Sequence, residues 1–227
     1  MDDPAAMCVR ESVEQLHVTH GEPNTELEVW DAAANVVDTG TTDYQGSLIF
    51  RGLTPGDGYR VVAAGPPRAV SRSLHVSPVE GSTPPQPFYD GQLLEPGYGY
   101  LTTRDGTRLS VFVSLPGPPE DGPYPVLVNY SGYDPSEPVG PLSFDGLDLE
   151  FLCDEFPVLC DAPNAPEALI AGMLGFATVG VNMRGTGCSG GAYDFFEPLQ
   201  LLDGYDIIET VATQNWAYKV GMVGISF

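Results

Sequence analysis

The chain has 227 residues, of which 31 are Asp or Glu and nine are Lys or Arg, giving a formal net charge of −22. Nucleic acids and anionic membranes select basic surfaces, so this composition argues against both as partners. The acidic start, Met1-Asp2-Asp3-Pro4, argues against a secretory leader, and no stretch approaches the ~20 apolar residues that cross a bilayer. A hydrophobic content of 42% suits a globular protein of one large or two modest domains.

Residues 1–20 lack a clear pattern and are expected to form a loose N-terminus. Residues 21–80 show the alternation of strands in Leu27–Trp30, Ser47–Phe50 and Tyr59–Ala63, with Gly- and Pro-containing turns between them. Short strands at this spacing predict a small β-sandwich. This unit resembles carboxypeptidase-regulatory-like or fibronectin-type modules in Thr42-Asp43-Tyr44-Gln45-Gly46, Leu53-Thr54-Pro55-Gly56 and Tyr59.

Residues 81–92 are rich in proline and are expected to form an extended linker. Residues 93–227 then alternate predicted strands and helices in an α/β order, with parallel strands late in the series. Strands are predicted at Tyr98–Thr103, Thr107–Leu115, Val126–Tyr130, Phe176–Met183 and Val220–Ile225. Helices are predicted from an N-cap at Asn164 to Gly175, and over Leu199–Thr213.

The apolar residues of these two helices predict which side chains face the core. In the first helix they are Leu169, Ile170, Met173 and Leu174. In the second they are Leu201, Leu202, Tyr205, Ile208 and Ala212.

The run from Val220 to Ile225 predicts a strand that leads directly into Ser226. A strand followed by Gly-x-Ser is the front half of a nucleophile elbow, the strained turn that exposes a serine hydroxyl above an α/β sheet. The alternative is a serine in an ordinary strand-to-helix turn. His17, His20 and His75 all precede this serine, so in a serine–acid–histidine order the acid and the base would follow it. We therefore expect an inactive amino-terminal part of a serine hydrolase, with an exposed edge on its sheet.

A second serine motif, Gly187-Cys188-Ser189-Gly190-Gly191, is a complete Gly-x-Ser-x-Gly. With Gly185 it also matches the dinucleotide fingerprint, and Asp203 follows at about the spacing of a ribose-binding acid. Both motifs need a helix that opens directly after the turn, whereas residues 192–198 predict a loop. We expect these glycines to let the backbone pass close to the floor of the active site, with Ser226 as the nucleophile.

Arg184 is the only Lys or Arg between Arg108 and Lys219. An isolated arginine among carboxylates is expected to be a structural anchor, paired with an acid and with backbone carbonyls. Contact with substrate is the alternative.

Two of the four cysteines, Cys153 and Cys160, are seven residues apart. They could close a small disulfide loop or stay as two buried thiols, and the sequence leaves both open. A disulfide favours a secreted or cell-envelope location over the cytoplasm. Without Cys-x-x-Cys or a neighbouring histidine, no metal site is expected.

Four motifs occur in order in the second half of the chain: Met183-Arg184-Gly185-Thr186-Gly187-Cys188-Ser189-Gly190-Gly191, Asp203-Gly204-Tyr205-Asp206, Trp216 and Val220-Gly221-Met222-Val223-Gly224-Ile225-Ser226. In these motifs, residues 90–227 resemble the cocaine-esterase and X-Pro dipeptidyl-peptidase group (CocE/NonD type) of α/β-hydrolases. The resemblance implies an incomplete α/β-hydrolase sheet, with strands up to the nucleophile strand. The small all-β sandwich domain predicted before it lies outside the resemblance. The resemblance also implies hydrolysis of ester or amide bonds, including Xaa-Pro peptides, without a cofactor.

The same resemblance assigns roles to three residues. Ser226 is the nucleophile, and the backbone N–H of Phe227 donates to the oxyanion of the tetrahedral intermediate. The hydroxyl of Tyr133 is the second oxyanion donor. Phe227 stands where many relatives have tyrosine, and Ser131-Gly132 stands where relatives often have Asn-Pro.

Two other functions compete with this interpretation. One is a non-catalytic binding module, in which the β-sandwich is the working part and the rest is a hydrolase remnant. The other is a nucleotide-dependent oxidoreductase that uses the glycine loop. As partners we expect a small-molecule ester or amide, or a short peptide, and the acidic excess would favour a substrate that carries an amine.

Overall fold

The computed structural model describes residues 7–65, 68–133, 135–137, 143–144, 147–148 and 166–224. The chain divides into two compact units, Met1–Thr83 and Pro84–Phe227. Each unit has its own hydrophobic core, built from residues that alternate along the strands.

In the described part of the first unit there are eight strands: β1 Cys8–Glu11, β2 Gln15–Thr19, β3 Glu26–Trp30, β4 Val36–Thr41, β5 Leu48–Arg51, β6 Gly56–Ala63, β7 Ala69–Val70 and β8 Leu74–Val76. One sheet has the order β1-β2-β5, and the other has the order β4-β3-β6-β7 with β8 also paired to β6. Both sheets contribute buried residues to one core, which includes Leu16, Phe50, Val29 and Val61. This is the all-β unit that the alternating pattern predicts.

Part of the expected loose N-terminus is instead ordered sheet. Strands β1 and β2 form a hairpin in residues 8–19, and Gln15–Val18 are all buried. The sequence does not show an apolar strand pattern at β2 because His17 is polar but buried. Its Nε2 lies 3.1 Å from Gln15 Oε1, and Arg10 Nη2 lies 2.8 Å from its Nδ1. These hydrogen bonds satisfy the buried imidazole of His17, a polar group that would be expected on the surface from the sequence alone.

Tyr59 ties strand β6 to the turn before it. Its hydroxyl donates to the Thr54 carbonyl at 2.7 Å, and the side chain is only 8% exposed. A buried tyrosine that bonds to backbone a few residues upstream is the tyrosine corner of β-sandwiches.

Replacing Tyr59 with phenylalanine should therefore destabilise the first unit. The Thr54 carbonyl loses its donor, which should lower the free energy of unfolding by about 1 kcal/mol. Urea unfolding followed by circular dichroism measures the change. Tyr44→Phe is the matched control because Tyr44 is 78% exposed, and a loss as large in this control would contradict the assignment.

Among the described residues, the second unit contains seven strands and three α-helices: α1 Gln86–Asp90, β9 Gly97–Thr102, β10 Arg108–Ser114, β11 Tyr124–Ser131, β12 Ser143–Phe144, β13 Leu147–Asp148, α2 Pro166–Met173, β14 Ala177–Asn182, α3 Pro198–Ala212 and β15 Ala217–Val223, with a 3₁₀ turn at Pro119–Asp121. Its main sheet has the order β9-β10-β14-β11-β15. Strands β9 and β10 are antiparallel to each other, and β10 is antiparallel to β14. Strand β11 runs parallel to both β14 and β15. The α/β fold class, with its parallel strands late in the series, is confirmed.

The predicted linker also holds structure. Helix α1 lies within it, and Tyr89 of this helix is 2% exposed, with its hydroxyl donating to Asp206 Oδ1 at 2.8 Å. The Pro-rich stretch is thus not extended throughout, because a proline in the first turn is compatible with a helix. A single helical turn carries too weak a local signal to stand out among prolines.

The predicted core-facing sides of the two longer helices are mostly wrong, although Ile208 packs against the core as predicted. Helix α2 buries the small residues Ala168 and Ala171 and leaves Ile170 and Met173 more than half exposed. Helix α3 buries Asp203, Asp206, Ile207, Thr210 and Val211, whereas Leu201 and Tyr205 are exposed. In α3 the hydrophobic stripe was misleading because two aspartates occupy the buried side, each paired with an arginine.

Candidate active site

Three parallel strands bring their carboxyl ends to one edge of the second unit's sheet. In β11, Ser131 lies opposite Asn182 of β14, and Asn129 lies opposite Val223 of β15. The carboxyl edge of parallel strands is where open α/β sheets bind ligands. Residues that follow these three strands are therefore the candidates for a functional site.

Strand β15 carries the segment that leads to the predicted nucleophile. It ends at Val223, and Gly224 is the last residue that the structure describes. Ser226 and Phe227 lie outside the described residues, so their predicted roles stay predictions. Within the described part of the chain, β15 pairs with β11 alone and forms the edge of the sheet, the exposed edge expected from the sequence.

Tyr133, the predicted hydroxyl donor, follows directly after β11. Its side chain is 66% exposed, and its backbone N–H donates to Ser131 Oγ at 3.2 Å. Ser131 is buried, and its carbonyl accepts the Met183 N–H at 3.0 Å, which joins the ends of β11 and β14. The tyrosine thus projects from a fixed strand end on the expected edge, and its catalytic role stays a prediction.

The second serine motif is held in place by hydrogen bonds to two strands of the sheet. Ser189 Oγ donates to the Asn182 carbonyl at 2.8 Å and accepts the Ser110 N–H at 2.9 Å. No helix opens after the motif, because α3 begins only at Pro198. The described geometry therefore matches neither a nucleophile elbow at Ser189 nor a dinucleotide turn, and Ser189 fastens the glycine loop to strand β10.

Close backbone approach explains one glycine of this loop. Gly185 has φ +74°, and a Cβ there would overlap the backbone N of Tyr193. Only glycine fits both the left-handed conformation and the space.

Arg184 is paired with acids, as predicted, and its contacts are to side chains rather than to the predicted backbone carbonyls. The guanidinium is 1% exposed and binds Asp203 in a bidentate manner, with Nε–Oδ2 at 2.7 Å and Nη2–Oδ1 at 2.6 Å. Its Nη1 lies 3.1 Å from Asp105 Oδ2, and its Nε lies 3.9 Å from Glu197 Oε1. One cation thus connects the β9–β10 turn, the glycine loop and helix α3.

Burial and the charges around Arg184 shift the pKa of Asp203. Burial raises the pKa of Asp203 to about 6, although the hydrogen bonds from Arg184 oppose the rise. Asp105 and Asp206 add to the rise because they are like charges nearby. The carboxylates outnumber the cations here, so Arg184 offsets the repulsion between them.

A second buried pair was missed by the sequence reasoning. Asp206 is fully buried and accepts the Arg104 backbone N–H at 2.8 Å, Arg104 Nη2 at 2.8 Å and the Tyr89 hydroxyl at 2.8 Å. The pair joins α1, the β9–β10 turn and α3. The available signal was the spacing of Asp203 and Asp206, which are three residues apart and so share one face of a helix.

The histidines belong to the first unit. His17 is buried among polar side chains, and His75 Nδ1 lies 2.7 Å from Asp57 Oδ1 on an exposed surface. Their contacts give them structural partners within that unit.

Cysteine and metal chemistry add nothing to the site in the described residues. Cys8 and Cys188 are free and exposed, while Cys153 and Cys160, which could form a disulfide, lie outside the described residues. Across the described ranges, no group of three or more His, Cys, Asp or Glu side chains is arranged to hold a metal ion. Among those same residues, no helix is long and apolar enough to span a membrane.

Comparison with known proteins identifies a family. Residues 105–227, more than half of the chain, match the family model described as X-Pro dipeptidyl-peptidase (S15 family). No curated protein matches the sequence.

Several solved structures are similar over part of the chain. A CocE/NonD family hydrolase from Staphylococcus aureus has 22% identity and a TM-score of 0.41, over 56% of this chain and 22% of its own. An aminopeptidase from a marine sediment Thaumarchaeota archaeon has 18% identity and a TM-score of 0.39, over 65% of this chain and 23% of its own. An α-amino acid ester hydrolase has 22% identity and a TM-score of 0.38, over 59% of this chain and 23% of its own. The chain therefore spans less than a quarter of the length of each of these structures.

Proposed function

The chain belongs to the X-Pro dipeptidyl-peptidase (S15) family, and from this premise we propose that it supplies the nucleophile of a serine acyl hydrolase. The observation that carries the proposal is the parallel pairing of β11 with β15, in which Asn129 lies opposite Val223. Tyr133 follows Asn129 by four residues, and Ser226 follows Val223 by three. Strands β11 and β15 therefore lead toward the two residues from the same edge of the sheet, where a nucleophile and an oxyanion donor would have to meet.

The proposed reaction runs through an acyl-enzyme. A histidine takes the proton from Ser226 Oγ as this oxygen attacks the carbonyl carbon of an ester or amide. The negative charge that develops on the carbonyl oxygen is held by the Phe227 N–H and the Tyr133 hydroxyl. The alcohol or amine leaves with a proton from the histidine, and water then attacks the acyl-enzyme and restores the serine.

The acid and the histidine of this reaction are proposed to come from outside these 227 residues. All three histidines of the chain precede Ser226, and the described contacts of His17 and His75 are structural. An α/β-hydrolase presents its triad in the chain order serine, acid, histidine. We therefore assign activity to a longer polypeptide, expect the 227-residue chain alone to be inactive, and propose a small ester, an amide or a short Xaa-Pro peptide as substrate.

A fluorophosphonate probe tests the nucleophile directly. The probe phosphonylates a serine only where a base activates it and an oxyanion site accepts the phosphoryl oxygen. Labelling the longer polypeptide, followed by peptide mass spectrometry, should place the adduct on the peptide that contains Ser226. A labelled protein with the adduct on another serine, or no adduct at all, would overturn the proposal.

Tyr133→Phe tests the second oxyanion donor. Loss of one hydroxyl donor should lower kcat by about a hundredfold to a thousandfold, because the donor acts mainly on the charge of the transition state. The Michaelis constant should change little, since ground-state binding is kept. Steady-state kinetics on an activated ester measure both constants. Tyr193→Phe is the control because it makes the same chemical change in another half-exposed loop tyrosine, and equal losses in both variants would refute the role.

A further inference from the structure

The loop after β11 lies against strand β14, and this contact depends on a glycine. A Cβ at Gly180, in the middle of β14, would overlap the Pro135 carbonyl oxygen. Pro135 and Ser136 are buried, while Tyr133 in the same loop is exposed. The loop is therefore held at residues 135–136 and presents Tyr133 outward.

Asn182, the last residue of β14, makes the polar part of this attachment. Its Oδ1 accepts the Ser136 N–H at 3.1 Å and the Ser136 hydroxyl at 2.5 Å. Asn182 is 1% exposed and Ser136 is 3% exposed, so water cannot easily replace either bond. One amide oxygen thus satisfies both donors of a buried loop residue.

A third residue extends the attachment to β10. Ser136 Oγ and Ser110 Oγ are 2.9 Å apart, and Ser110 is fully buried. Ser110 Oγ also lies 3.2 Å from Ser189 Oγ, and the hydroxyls of Ser136 and Ser189 both donate to Asn182, so the Ser110 hydroxyl is the donor that these two serine oxygens share. A network of hydrogen bonds thus joins β10 to Asn182 and Ser136, and its loss leaves buried polar groups unpaired.

We infer that Asn182 is a positioning residue for catalysis, which fixes Ser136 in the segment after β11 and through it the oxyanion donor Tyr133. This inference rests on the proposed function. Asn182 itself lies on the inner side of the loop, bonded to Ser136, and so acts only through that loop. An oxyanion donor is effective only when its oxygen is held at a hydrogen-bond distance from the developing charge, and misplacement by about 1 Å can cost a hundredfold in rate.

The first test measures the loop without using activity. Amide hydrogen exchange on the folded protein compares wild type with Asn182→Ala, and we expect the Ser136 and Tyr133 amides to exchange at least about tenfold faster in the variant because their anchor is lost. Val211→Ala is the control. Val211 is fully buried in the core on the opposite face of the sheet, so its truncation destabilises the unit without touching the loop. Unchanged protection in Asn182→Ala, or equal acceleration in Val211→Ala, overturns the anchoring role.

The second test is a double-mutant cycle in the active polypeptide. Asn182→Ala should lower kcat by about tenfold to a hundredfold with KM within about twofold, because a displaced donor affects the transition state most. In a Tyr133→Phe background the same substitution should change kcat little, since the donor it positions is already gone. An unchanged kcat, or the same loss in both backgrounds, contradicts the inference. A wild-type protein that no fluorophosphonate labels refutes the proposed function instead, and the exchange experiment still decides whether Asn182 anchors the loop.

Discussion

Replacing Ser226 with alanine should abolish turnover by the longer polypeptide. Loss of the nucleophile of a serine triad lowers kcat by about a million-fold, because attack by water held in the oxyanion site is all that is left. Covalent labelling by a fluorophosphonate should disappear at the same time. Rates on an activated ester, together with gel fluorescence of the labelled protein, measure both effects.

Ser189→Ala is the matched control for this experiment. It makes the same chemical change in the other Gly-x-Ser motif, where the hydroxyl bonds to the Asn182 carbonyl and the Ser110 N–H. We expect labelling to persist, with a lower melting temperature from the lost bonds. If Ser189→Ala lost labelling and Ser226→Ala kept it, the nucleophile would have to be reassigned to the glycine loop.

Replacing Arg184 with methionine should unfold much of the second unit at neutral pH. The variant leaves Asp105, Asp203 and Glu197 buried around the site of the lost cation. Removing one partner of a buried ion pair costs about 3–5 kcal/mol, since an uncompensated charge stays behind. Urea unfolding of the 227-residue chain, followed by the fluorescence of Trp216 in a Trp30→Phe background, reports on this unit because Trp216 is buried in its core.

The loss in Arg184→Met should depend on pH with a definite sign. Burial already holds the folded-state pKa of Asp203 at about 6, above the ordinary value of 3.8, and removing Arg184 takes away the interaction that lowers it. An acid whose pKa is raised by folding stabilises the protein fully below the unfolded pKa, and that contribution is lost as pH rises through the folded pKa. The variant should thus be more stable at pH 5 than at pH 7, with a steeper dependence than wild type.

Arg108→Met is the control for charge and size. Arg108 is exposed and lies with its guanidinium carbon 4.5 Å from the centre of the Tyr100 ring, a contact worth about 0.5–1 kcal/mol at exposed sites. Its loss should be small and nearly independent of pH. Equal destabilisation of the two variants would mean that Arg184 contributes no more than a surface arginine.

The strands could be predicted from the sequence, but the buried faces of the helices could not. Strands β10, β11 and β14 each contain a short stretch rich in valine and other apolar residues, which is a local signal of a strand. In α3 the buried positions include Asp203 and Asp206. Their burial depends on Arg184 and Arg104, and Arg104 is about a hundred residues away along the chain, so no local pattern reveals it.

The candidate site likewise contains residues that could be predicted from the sequence and contacts that only the structure reveals. Ser226 is predicted from a strand followed by Gly-x-Ser, which is visible in one dimension, whereas Tyr133 is predicted only from the resemblance to the family. The anchoring of the loop by Asn182 and Gly180 was not predicted, since it requires β14 to lie beside β11 and Pro135 to rest on the strand. Hydrogen-bond partners such as Ser110 become evident only when the order of the strands is known.

Because β15 lies at the edge of the described sheet, the high negative charge of the chain affects its tendency to self-associate. An edge strand displays a row of peptide N–H and C=O groups that another copy can join, and here Tyr218 and Met222 add exposed apolar surface. Two copies that approach edge to edge each carry a formal charge of −22, so they repel at long range. Dissolved salt screens this repulsion and leaves the short-range pairing intact. Self-association of the isolated chain should therefore increase with ionic strength, the reverse of a complex held together by opposite charges.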